Sequence, residues 1–83
     1  MTDKQLARFV QLVERKRRKK NLLHPEVFKT AHVSLRSWHQ WTRELKEGES
    51  RTYPNEWQTV KVLRALDEMP ARPKKIRGYG RVS

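Results

Sequence analysis

Four stretches of this chain carry apolar side chains at helical spacing, and each is bounded by residues that start or stop a helix. In the first, Leu6, Phe9, Val10 and Val13 recur at i, i+3, i+4 and i+7, a stripe that has to face a core. Thr2 and Gln5 stand ahead of it at capping-box spacing, so the pattern predicts a helix over residues 2–20. Asn21 suits the left-handed conformation that ends a helix, after which Leu22 and Leu23 enter or flank the core. Pro25 fits a first helical turn, where its missing amide is no loss, and this predicts a short second helix over residues 25–31 with its boundary at Leu23 or His24.

The third stretch begins at Ser34, whose hydroxyl can accept from the unpaired amides of a first turn, and is expected to be helical over residues 34–45. Around that helix Trp38, Trp41 and Leu45 fall on one side, while Arg36, His39, Gln40 and Arg43 fall on the other. Two tryptophans three residues apart read as core. His32 occupies the turn between the two helices, where a positive φ usually calls for glycine and histidine is tolerated at a cost. Val33 is expected to point inward and pin that turn.

After Leu45 the segment KEGESRTYP is a polar linker punctuated by Gly48 and Pro54. Asn55 then caps a final helix and Glu56 complements its dipole. Its stripe is expected at Trp57, Val60, Leu63 and Leu66, with Val62 beside them, and Met69 and Pro70 end it. The resulting expectation is an all-α bundle of four to five helices over residues 1–69, followed by a flexible basic arm over residues 70–83.

Composition narrows the function. The 83 residues suffice for one small domain, in which three tryptophans and two phenylalanines supply most of the bulk. The chain has no cysteine, which removes disulfides and thiolate metal sites, and its three histidines lack ligand spacing, so no metal is expected. A net charge of +11 draws in polyanions: nucleic acid first, an anionic membrane surface second, an acidic protein third. No apolar run approaches a membrane span, and Asp3 and the early charges spoil a secretory pattern, so a cytoplasmic, nucleoid-associated location is expected. No carboxylate pair, activated nucleophile or glycine-rich phosphate loop stands out, so neither an enzyme, a cofactor nor a small-molecule ligand is expected.

The bases are not evenly spread. Arg15, Lys16, Arg17, Arg18, Lys19 and Lys20 form an unbroken run at the end of the first helix. It reads either as a solvated helix end favourable to the macrodipole or as a phosphate contact that relieves the mutual repulsion of six like charges. Arg72, Lys74, Lys75, Arg77 and Arg81 mark the last stretch as an arm for backbone or minor groove, or as a solubilising tail. His24, just ahead of the second helix, either touches a phosphate or caps.

With these landmarks in order, the chain resembles the phage Cro/repressor-like (Xre-type) helix-turn-helix DNA-binding family over roughly residues 6–68. The resemblance rests on Asn21-Leu22, on Val27, Ala31 and Val33-Ser34 around the turn, on Trp38 and Trp41 at the buried positions of the second helix, and on Pro54 before a helix ending Arg64-Ala65-Leu66. Phe28 stands where that family prefers alanine, so the two helices must pack around a larger ring, and the linker after the recognition helix is longer. The resemblance implies a compact all-α fold, transcriptional control, and a homodimer on a near-palindromic double-stranded DNA operator. It implies base-reading positions at Leu35, Arg36 and Gln40, and places His24 and Ser34 near phosphates. Ser37 falls within the same groove-facing segment, and the helical wheel adds His39 as a reader and Arg43 as a backbone contact. Two other readings stay open: a non-specific RNA-binding or architectural, excisionase-like DNA-binding protein, and a small basic inhibitor of an acidic protein.

Overall fold

The computed structural model describes residues 1–73. Four helices follow one another: α1 (Asp3–Lys19), α2 (His24–Ala31), α3 (Leu35–Thr42) and α4 (Glu56–Glu68), with no strand among the described residues. The first boundary is set by the capping box expected from sequence. Gln5 N donates to Thr2 Oγ1 at 3.2 Å and Thr2 N donates to Gln5 Oε1 at 2.9 Å.

The first two helices end in the same way. Asn21 takes φ 57° and His32 takes φ 59°. At α1 the amide of Leu22 reaches back to Arg17 O and that of Asn21 to Arg18 O. At α2 Val33 N reaches Phe28 O and His32 N reaches Lys29 O. Both are Schellman closures, in which a left-handed residue turns the chain and the apolar residue after it packs back. Leu22 and Val33 are those residues, and both are buried.

One core joins the helices. Leu6, Phe9 and Val13 of α1, Val27, Phe28 and Ala31 of α2, Trp38 and Trp41 of α3, and Val62, Ala65 and Leu66 of α4 are buried together. Phe28, at 1% exposure, lies 5.4 Å from the ring of Trp38 and 6.2 Å from that of Trp41, so the larger ring expected between α2 and α3 is the piece on which both indoles rest. Phe9 closes the far side with an edge-on contact to Trp41 at 5.9 Å.

Long-range polar contacts tie α1 to α4 at both ends. Tyr53, just ahead of α4, donates its hydroxyl to Asp3. At the other end Lys20 Nζ donates to Leu66 O, Asp67 O and Met69 O, at 2.6, 3.0 and 2.6 Å. These are carbonyls that the last turn of α4 leaves without helical partners, so one ammonium serves as its C-cap.

Two expectations are corrected. The third helix stops at Thr42 rather than at residue 45, leaving Arg43 extended and Leu45 36% exposed. Arg51 Nη1 captures Trp41 O at 3.2 Å and also bonds Arg43 O, which satisfies carbonyls that further helix would have used. The stripe of α4 is also turned. Val62, Ala65 and Leu66 face inward, whereas Trp57 and Val60 are 54% and 47% exposed. A spacing of three fits either face, and the tight approach of α4 to α2 and α1 selects the smaller Val62 and Ala65.

Candidate nucleic-acid interface

The α3 helix has two unlike sides. Trp38 and Trp41 are held in the core by Phe9, Phe28 and each other. On the outward side Arg36 and His39 are exposed, while Leu35, Ser37 and Gln40 are half-buried. Among the described residues, no hydrogen bond or ion pair engages the side chains of Arg36, Ser37, His39 or Gln40. Their donors and acceptors are therefore available on a helix whose roll is fixed by two indoles. Leu35 is instead packed against the core margin.

The start of α3 is capped as expected, Ser34 Oγ accepting from Arg36 N at 3.2 Å. Arg43 does not lie on the helix. Its guanidinium pairs with Glu49 at 3.2 Å, and Glu49 also accepts from Lys46 N at 2.7 Å, so the linker folds back on its own charges. That backbone hydrogen bond, helped by Arg43, holds the Glu49 carboxyl below its ordinary range.

His24 is the first residue of α2 and is used within the fold. Its ring stacks on Trp38 at 5.2 Å, and its Nε2 lies 2.8 Å from Glu14 Oε1. A carboxylate can only accept, so Nε2 carries the hydrogen. Burial pushes the Glu14 carboxyl up, but hydrogen bonds and charge from His24 and Arg17 outweigh it and the net shift is downward. The helix is capped instead by Glu26, whose Oε1 accepts from Leu23 N at 3.0 Å. Glu14 is the residue that the sequence pattern gives least sign of, since its histidine partner lies ten positions on; only the i, i+3 spacing to Arg17 hints at it.

The six-base run separates into two groups. Lys16 pairs with Asp67 at 2.8 Å and holds that carboxyl below its ordinary range; Arg17 bonds Glu14 and Leu22 O; Lys20 caps α4. Arg15, Arg18 and Lys19 are exposed and, among the described residues, have no ion-pair partner. With Gln11 and Glu14 they line a shallow depression on α1. Glu14, on the rim of this depression, bonds His24, whose ring stacks on Trp38.

Arg72, assigned to the arm from sequence, lies against the body. Its side chain pairs with Glu26, its amide donates to Lys20 O at 2.8 Å, and Asn21 Nδ2 donates to Pro73 O at 3.2 Å. Lys74, Lys75, Arg77 and Arg81 lie outside the described residues. Among the described residues no cluster of histidine and carboxylate side chains could hold a metal ion, and no helix is long and apolar enough to cross a membrane. Compared with protein-family models, with curated proteins and with solved structures, the chain finds no match.

Proposed function

We propose that this chain is a sequence-specific double-stranded DNA-binding regulator of transcription that lays α3 in the major groove. The observation that carries this reading is the outward side of α3, where Arg36, Ser37, His39 and Gln40 are unengaged on a helix anchored by Trp38 and Trp41. Base reading needs donors held in register by a rigid support, because a misplaced fork loses its bidentate geometry. Arg36 supplies a planar fork for guanine O6 and N7 and Gln40 an amide for adenine, while the part of Leu35 not packed on the core margin offers an apolar contact for a thymine methyl. Of the six-base run, Arg15, Arg18 and Lys19 are free to meet phosphate, with Ser34 and the first amides of α3 beside the groove.

A net charge of +11 supplies sequence-independent attraction and fast encounter. Action in the cytoplasm, at the nucleoid, follows from such a partner. A homodimer would set two copies of α3 about 34 Å apart on one face of a near-palindromic operator.

Selection of bound duplexes from a random pool tests the proposal. A recovered motif with two half-sites about one helical turn apart is the expected result. Binding that persists without any enriched motif would overturn it in favour of a charge-driven architectural or RNA-binding role.

A further inference from the structure

The core of this chain is small, yet α4 turns a tryptophan and a valine to solvent one turn apart. Trp57 is 54% exposed and Val60 47% exposed, and Lys61 Nζ stands 5.5 Å from the Trp57 ring centre. Arg64 and Glu56 are exposed on the same side, with Trp57, Val60 and Arg64 at i, i+3 and i+7. The interior side of the helix is already filled by Val62, Ala65 and Leu66. This outward row therefore belongs to no part of the described fold.

We propose that this face pairs with the same face of a second copy, antiparallel, with Val60 on the two-fold axis. The charge pattern argues for that occupant and that register. In an antiparallel pair centred on Val60, a residue four before it meets a residue four after it. Glu56 of each copy then meets Arg64 of the other, giving two symmetric ion pairs, and each Arg64 also lies beside the other copy's Trp57 for a cation–π contact. The row is thus complementary to itself in the register centred on Val60.

The patch is short, well below the roughly 1,200 Å² that a standard stable interface buries, so the free dimer is weak. Two chains of net charge +11 also repel at low salt, and association strengthens once that field is screened or neutralised. This inference deepens the two-fold part of the proposed function and rests on it for its purpose. Its test needs no DNA.

The chain has no cysteine, so a single introduced thiol reports the contact without background. Val60→Cys and the control Gln11→Cys, both at exposed positions, are oxidised at high salt without nucleic acid. Val60→Cys should form disulfide-linked dimers about tenfold faster than the control, because pairing raises the effective concentration of the two thiols. Adding Arg64→Glu should abolish the advantage, and adding Glu56→Arg to that double variant should restore it. Equal rates for Val60→Cys and Gln11→Cys would overturn the proposal. So would a rate advantage indifferent to Arg64→Glu, which means another register. So would a monomeric Val60→Cys chain whose thiol is shielded from reagent, which means a cover from within the chain. Pairing without any duplex binding would reject the DNA reading and leave this contact standing; the reverse would reject only the contact.

Discussion

His24 stacks on Trp38 with ring centres 5.2 Å apart and planes 30° from parallel. The first residue of α2 thus supports the middle of α3, and Glu14 of α1 holds the imidazole from behind. Three helices meet through one histidine, which makes the orientation of α3 depend on a carboxylate that never approaches its outward side.

That dependence should show in pH. The Glu14 carboxyl is held below its ordinary value of 4.5 in the folded chain, so its contribution is fully present above that value and is lost as pH falls through the lowered one. Melting temperature should therefore drop on acidification below about pH 4.5, and Glu14→Gln should flatten that part of the profile. A Glu14→Gln chain with the parent's acid slope would contradict the assignment.

The three tryptophans should behave as two classes. Trp38→Ala or Trp41→Ala removes a fully packed indole and should cost about 3–5 kcal/mol in urea unfolding, much of what a domain this small has. Trp57→Ala in the monomer should stay within about 0.5 kcal/mol.

The basic run should divide likewise. Lys20→Met strips three carbonyls of their shared donor and should lower stability by about 1–3 kcal/mol. Arg18→Met should leave unfolding unchanged but reduce the slope of log K against log salt for duplex binding by about 0.9. Filter binding across a salt series, beside urea titrations, separates the two outcomes.

At the groove, Arg36→Ala should cost about 1–3 kcal/mol against the selected duplex and relax preference at one base pair. Circular dichroism should be unaltered, since the exposed Arg36 side chain makes no hydrogen bond or ion pair within the described fold. Equal binding of cognate and scrambled duplexes by parent and variant alike would remove Arg36 from the readers.

Local signals were legible in the sequence and distant ones were not. Thr2 with Gln5, the left-handed Asn21 and His32, the Ser34 and Asn55 caps and the inward tryptophans all follow from residues within four positions of one another. The end of α3 depends on Arg51, eight to ten residues on, and the roles of Lys16 and Lys20 depend on α4, some 46 to 51 residues on. No periodicity carries that information. The outward turn of Trp57 and Val60 was hidden because a spacing of three suits two adjacent faces of one helix, and only packing against α1 and α2 decides between them.

The double fastening of α1 to α4, through Tyr53 with Asp3 and through Lys20 with the end of α4, makes α3 inseparable from its frame. A peptide cut to α2, the turn and α3 would keep Phe28 as a wall for its indoles but lose Phe9 and the whole of α4. Such a fragment would be a coil, and grafting this motif onto another protein would require transplanting both ends of the chain with it.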